Sequence, residues 1–160
     1  MQEKSTIKQI NEFSIKKSIQ FQDSLDTLSG FGCTYLSVTV EEDVSRTHFF
    51  SNNQWLSVFI NEGFINNCQL STLARQKNLI IPWDSISSTE KHIQQVMEAR
   101  LDHDIAHGLT LSKKTNKHII MVALGTNKGN TNFISSLIDH QMFLKKTLGE
   151  ISQIVFERES

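Results

Sequence analysis

A change of period at residues 30–33 constrains this chain more than any other feature of its sequence. Before it, apolar residues recur at three- and four-residue steps: Ile7, Ile10 and Phe13 behind a candidate cap at Ser5, then Ile15, Ile19, Leu25 and Leu28. That spacing lines up one face of a helix. Gly30 and Gly32 end the pattern. From Cys33 onward, Thr34-Tyr35-Leu36-Ser37-Val38-Thr39-Val40 alternates and is rich in β-branched and aromatic residues, which is strand spacing. A chain that writes both periods has to bury helix faces against a sheet.

The remaining segments fill in that plan. An acidic turn at Glu41-Glu42-Asp43 leads into Arg46-Thr47-His48-Phe49-Phe50, a natural antiparallel partner for the first strand. Ser51-Asn52-Asn53 reads as a helix start, with Trp55, Phe59 and Ile60 on one face and Gly63 as the stop. A short helix is expected around Leu70–Arg75. Asn78-Leu79-Ile80-Ile81-Pro82-Trp83 is an apolar run closed by the single proline, so it should be extended or an edge. Ser87-Ser88-Thr89-Glu90 spells a capping box before a long helix that turns Ile93, Val96, Met97 and Leu101 inward. A hairpin follows, from Leu109–Lys113 through Thr115-Asn116-Lys117 to His118–Leu124, the second strand being apolar on both faces. Gly125–Asn130 is a loop, and one helix from about Asn132 to Phe156 closes the chain. The expected fold is α+β: an α-β-α sandwich with a central antiparallel sheet of about five strands and helices on both faces. Residues 1–160 form a single domain.

Composition narrows the function classes. Sixteen Lys and Arg against 17 Asp and Glu give a net charge of -1, which argues against a basic nucleic-acid surface. Two cysteines, Cys33 and Cys68, are too few for a disulfide framework or a four-cysteine zinc site, and they suit a reducing compartment. No stretch approaches the ~20 apolar residues of a membrane span, and the N-terminus has no secretory signature, so a cytoplasmic protein is expected.

Catalytic motifs are not apparent. His103 and His107 stand at i and i+4, with Asp102 and Asp104 beside them. A metal-dependent hydrolase is the reading this pair allows, but an open site needs three aligned ligands, and helix-end histidines explain the pair as well. Gly125-Thr126-Asn127-Lys128-Gly129-Asn130-Thr131 lacks the Gly-Lys-Thr order of a phosphate loop and reads as a turn. Lys16-Lys17 and Lys145-Lys146 read as solvated faces. No catalytic residue, metal ligand or cofactor is expected.

Trp55, with Phe59 one helical turn later and Trp83 after the apolar run, is more informative. Three core aromatics would satisfy a small sheet covered by helices. The other reading is that they line a cavity, where an indole N–H orients a polar ligand group while its face packs on carbon.

The segments Ser51-Asn52-Asn53-Gln54-Trp55-Leu56-Ser57-Val58-Phe59, Gly63-Phe64-Ile65-Asn66-Asn67-Cys68-Gln69 and Ile81-Pro82-Trp83 resemble the autoinducer-binding domain of LuxR-type quorum-sensing regulators. In that family a tyrosine, a tryptophan and a further aromatic recur at helical steps, Asp-Pro follows, and a second tryptophan closes the segment. Glu98-Ala99-Arg100 and His107-Gly108-Leu109-Thr110 resemble the helix end and strand opening that come next. The resemblance implies an acyl-homoserine lactone or related apolar signal held between sheet and helices. Trp55 would donate to the lactone carbonyl, Phe59 and Trp83 would pack on the ligand, and Ser51, Cys68, Tyr35 and Thr110 complete the implied ligand-binding set. Cys68-Gln69 stands where the family has Asp-Pro, and Ser51 where it has the tyrosine hydroxyl. Losing the carboxylate that accepts a buried amide N–H costs about 1–3 kcal/mol. The ligand therefore lacks that amide, or another acceptor serves, or side chains fill the pocket.

Family regulators continue into a helix-turn-helix domain. These residues carry no such segment, so direct DNA binding by this chain is not expected. The resemblance implies a sensor that forms a homodimer, or a heterodimer with a full-length regulator. The alternative is a ligand-free decoy or dimerisation protein that titrates such a regulator.

Overall fold

The alternating segment after Cys33 becomes the strand on which the architecture is built. The structure, a computed structural model, describes residues 7–66, 80–85 and 91–158. Strand β2 (Tyr35–Glu42) turns back through Asp43 and Val44 into β3 (Ser45–Phe50), with Glu42 opposite Ser45. Asp43 takes φ 56°, a left-handed conformation that aspartate tolerates better than most residues. On its other side β2 pairs antiparallel with β6 (Ile119–Thr126), β6 with β5 (His107–Lys114), and β5 with the short β4 (Ile80–Pro82). Strand β1 (Gln9–Glu12) runs parallel to β3, and the order across the sheet is β1-β3-β2-β6-β5-β4. Pro82, which has no N–H to give, sits in an edge strand.

Two expectations about the sheet are corrected. It has six strands among the described residues rather than about five, and it is mixed rather than wholly antiparallel. Both changes come from β1. The Ile7-Ile10-Phe13 spacing predicts a helix, yet the Lys8 and Gln9 N–H groups donate to Val44 O and the Phe13 N–H to His48 O. The exposed edge of β3 offers a row of unpaired backbone groups, and satisfying them outweighs a weak helical period. The turn is also shorter than expected: Glu41 and Glu42 lie within β2, and Glu41 is buried.

Helices cover both faces of the sheet, as the sequence implies. One face is mainly apolar. Leu36 and Val38 of β2, Leu109 and Leu111 of β5, and Ile120, Val122 and Leu124 of β6 pack against α1 (Ile15–Leu28), α4 (Phe133–Asp139) and α5 (Gln141–Phe156). Ser14 caps α1 by accepting from the Lys17 N–H at 3.1 Å. The buried stripe of α1 is Phe21, Leu25 and Leu28, whereas Ile15 and Ile19 lie in solvent, against expectation. The expected C-terminal helix is two. His140 leaves helical geometry (φ −120°, ψ 44°), its ring stacks edge-on to Phe31 at 4.9 Å, and Met142 just beyond it is exposed.

The opposite face carries α2 (Asn53–Asn61), a 3-10 turn at Phe64–Asn66, a second at Trp83–Ser85, and α3 (Lys91–Asp102). In α3, Val96 points inward but Leu101 is 40% exposed, and Arg100 takes the inward position instead. Cys33 is buried near the start of β2, and burial pushes its thiol up to about 11. Ser5, Leu70–Arg75 and Ser87–Glu90 lie outside the described residues, as does Cys68.

Candidate ligand-binding site

Period-two alternation on this second face brings polar side chains inward. Tyr35, Ser37, Thr39 and Glu41 of β2 face Arg46, His48 and Phe50 of β3, with Thr110 of β5 and Met121 of β6 alongside; all are buried. A sheet face that should be apolar beneath a helix layer is instead lined with hydroxyls and charge. Buried polar groups are costly unless bonded, so such a surface requires internal partners or a ligand.

Helix α2 supplies the first aromatic wall. The Asn52 side chain accepts from the Trp55 backbone N–H at 3.0 Å, which fixes the first turn. Trp55 and Phe59 then point inward one turn apart, ring centroids 5.7 Å from each other, and Phe59 meets Phe50 at 5.4 Å. The second wall is Trp83, whose indole N–H donates to Thr110 Oγ1 at 2.9 Å. Beneath Trp83, Gly108 and Gly125 are directly paired across β5 and β6. A Cβ on Gly108 would come within 2.4 Å of the Leu124 carbonyl oxygen and 2.6 Å of the Trp83 ring, so this floor has to be glycine.

The three aromatics lie on one face and line one void, together with Tyr35, Ser37, Thr39, Arg46, Phe50, Arg100, Thr110, Met121 and Ala123. Its volume is about 40 Å³, room for a few waters. Two guanidinium groups take much of the space between the walls. Arg46 is 4% and Glu41 5% exposed; they pair at 3.0 Å, and Arg46 also donates to Thr39 Oγ1 at 3.4 Å and lies 5.5 Å over the Phe59 ring. Arg100 is stacked between the indoles, 5.3 Å from the Trp55 ring and 4.9 Å from the Trp83 ring, and donates to Met97 Sδ at 3.2 Å. His48, beside Arg46 on β3, has its pKa lowered by burial first and by the Arg46 charge second, partly offset by Glu12.

Of the residues singled out from the sequence, Trp55, Phe59, Trp83, Tyr35 and Thr110 meet at this void. Ser51 does not line it: its Oγ accepts the Leu36 N–H at 2.9 Å, where β3 passes into α2. Cys68 lies outside the described residues. Arg46 and Arg100 escaped the sequence reading. Their signal was present, Arg46 alternating with His48 and Phe50, and Arg100 four residues after Val96. His103 and His107 do not share a helix face. Helix α3 ends at Asp102, His103 bonds the Ala99 carbonyl with its ring tilted against Trp55 at 5.6 Å, and His107 opens β5, 3.4 Å from Asp84. Among the described residues no cluster of three His, Cys, Asp or Glu could hold a metal ion. No helix among them is long and apolar enough to cross a membrane.

No family profile and no curated protein matches the chain by sequence. Solved structures do match in fold. The N-acylhomoserine lactone dependent LuxR-family transcription factor CepR2 of Burkholderia cenocepacia superposes with a TM-score of 0.62 at 8% identity, over 88% of this chain and 91% of that one. Escherichia coli SdiA gives 0.66 at 12% identity, over 88% of this chain and 63% of its own length. The ligand-binding domain of Pseudomonas aeruginosa VqsR gives 0.58 at 11% identity, over 89% of this chain and 97% of that domain. At these identities the likeness establishes the architecture: over most of its length, the chain is similar in fold to the autoinducer-binding domains of LuxR-family regulators.

Proposed function

We propose that this domain is a sensor rather than an enzyme, and that it binds a small, largely apolar signal between its sheet and the elements bearing Trp55 and Trp83. Occupancy would be read out through stability or dimerisation, as part of quorum sensing and transcription regulation in a cytoplasmic setting. The observation that carries this reading is the convergence of Trp55, Phe59 and Trp83 on one void over a polar sheet face. The two indoles differ in a way that suits it. Thr110 accepts from Trp83, whereas no hydrogen bond joins the Trp55 indole to another described residue. Among proteins of similar fold, CepR2 is N-acylhomoserine lactone dependent, and SdiA has been solved in complex with octanoyl-rac-glycerol. The net charge of -1 gives this chain no electrostatic drive toward DNA.

A ligand that binds only the folded state raises its stability by RT ln(1+[L]/Kd), about 2.7 kcal/mol at a hundredfold excess over Kd. The test is thermal unfolding against a panel of acyl-homoserine lactones, monoacylglycerols, hydroxyketones and fatty acids. At least one should raise the melting temperature, and Trp55→Phe should weaken that response more than it lowers apo stability. Equal losses in both would make Trp55 a core residue only.

The size of the void favours a second reading. Ligand pockets are typically about 300–1,000 Å³. With about 40 Å³ open here, a ligand must displace Arg46 or Arg100 or part the helices. If no member of the panel stabilises the protein, the guanidinium groups are permanent filling. The domain then acts through its surface, dimerising with itself or titrating a full-length regulator.

A further inference from the structure

Helix α5 turns one face outward. Met142 is 88% exposed and Phe156 50%, and Gly149 is exposed midway between them, seven residues from each. Seven residues are close to two full turns, so the three share one stripe. A Cβ on Gly149 would meet nothing within 4 Å. Glycine in the middle of a helix is less stable than alanine, and packing among the described residues gives no reason for it here. Close approach of another backbone would.

Charge on this helix is divided between its halves. Lys145 and Lys146 precede Gly149, Glu150 and the capping Glu157 follow it, and all four are exposed. That order opposes the helix dipole, which favours acids at the N-terminus and bases at the C-terminus. Lys146 and Glu150 stand four residues apart without pairing, and no ion pair among the described residues uses any of the four. Beside the acidic half, a groove of about 530 Å³ is walled by Gln20 of α1 and by Glu150, Gln153, Ile154, Phe156 and Glu157. The Lys17 ammonium donates to the Val155 carbonyl at 2.9 Å and holds α1 against this end of α5.

A two-fold axis through Gly149 sets each of these features against its complement, as an isologous contact requires. The basic half of one helix lies along the acidic half of the other, and glycine meets glycine where the backbones cross. We propose that a second copy of this chain docks on α5, the two helices antiparallel and crossing at Gly149, with Met142 of each copy seated in the groove of the other. The contact names the face behind the dimerisation read-out, and it stands whether or not the void beside Trp55 takes a ligand.

The experiment is analytical ultracentrifugation of the full chain without ligand, with circular dichroism to confirm folding. The wild type should pass from monomer to dimer as its concentration rises. Lys145→Glu with Lys146→Glu makes the helix acidic, Glu150→Lys with Glu157→Lys makes it basic, and each pair should raise the dimer Kd by roughly tenfold or more. Mixed together, the two chains should form a heterodimer. All four exchanges in one chain leave the net charge unchanged and should restore the homodimer. Gly149→Leu should block the dimer without lowering the monomer's melting temperature, because its side chain enters open space in the single chain. A wild-type chain that stays monomeric to about 1 mM overturns the proposal. So does a dimer that tolerates Gly149→Leu and both charge reversals, since it must use another face. Neither failure touches the ligand reading, which the thermal panel decides.

Discussion

Replacing Thr110 by valine removes one oxygen and keeps the shape. Thr110 and Trp83 are 4% and 3% exposed, and the indole N–H reaches Thr110 Oγ1 at 2.9 Å, a well-formed bond. After Thr110→Val the N–H faces a methyl group, and a buried donor left without its acceptor costs about 1–3 kcal/mol. The void beside it, about 40 Å³, can admit a replacement water, which places the cost toward the lower end of that range. In a chain of this length each kcal/mol lowers the melting temperature by about 2–4 °C, so the fall should be roughly 2–12 °C. Thr110→Ser keeps the oxygen and loses only a methyl, so it should restore the hydrogen bond. Spectroscopy separates bonding from packing. The chain has 2 tryptophans, hence two indole N–H cross-peaks, and Thr110→Val should shift the Trp83 peak and speed its exchange with water while Thr110→Ser does neither. A Thr110→Val stability within about 0.5 kcal/mol of wild type, the range of an inconsequential substitution, with the Trp83 peak unmoved, would refute the reasoning. So would a Thr110→Ser variant as damaged as Thr110→Val.

Gly108→Ala drives a Cβ to 2.4 Å from the Leu124 carbonyl, a backbone atom locked in the β5–β6 ladder. Overpacking of side chains costs about 1–3 kcal/mol, and a backbone clash should reach or exceed the top of that range in urea unfolding, with Trp83 fluorescence altered. Glu41→Gln removes the carboxylate charge 3.0 Å from the buried Arg46 guanidinium and should destabilise by about 3–5 kcal/mol. Glu41→Leu with Arg46→Met should recover most of that loss, which a double-mutant cycle in denaturant would measure. The folded state holds His48 below its usual pKa of 6.5, so the unfolded chain binds more protons on acidification. His48 therefore contributes stability that is complete above pH 6.5 and is lost as the pH falls from there toward the folded pKa; His48→Phe should flatten that part of the stability profile.

Much of the architecture was legible in the sequence because its signals are local. The alternation after Cys33, the Asn52 cap ahead of Trp55, the proline ending β4 and the apolar β6 each follow from neighbouring residues and backbone chemistry. Trp55 and Phe59 could be singled out because they stand one helical turn apart on one face, and Trp83 because it follows an apolar run, whereas Tyr35 and Thr110 came only with the family resemblance. The failures share one cause. Whether Ile7–Phe13 coils or extends depended on the open edge of β3, some thirty-five residues away. Whether Leu101 or Arg100 turned inward depended on two indoles from other elements that could hold a cation. Ser51 was spent on the Leu36 N–H, a partner in another strand.

The sequence alone determined that helices would cover a sheet on both faces, and which rings would face inward, because backbone periodicity fixes the direction of each side chain. Only the tertiary structure decided that one sheet face would be polar within, that Arg46 and Arg100 would narrow the void to about 40 Å³, and that Trp83 would rest on paired glycines. Those outcomes are set by charges and shapes meeting across distant segments, and the energy of burying a charge depends on what surrounds it after the chain has closed.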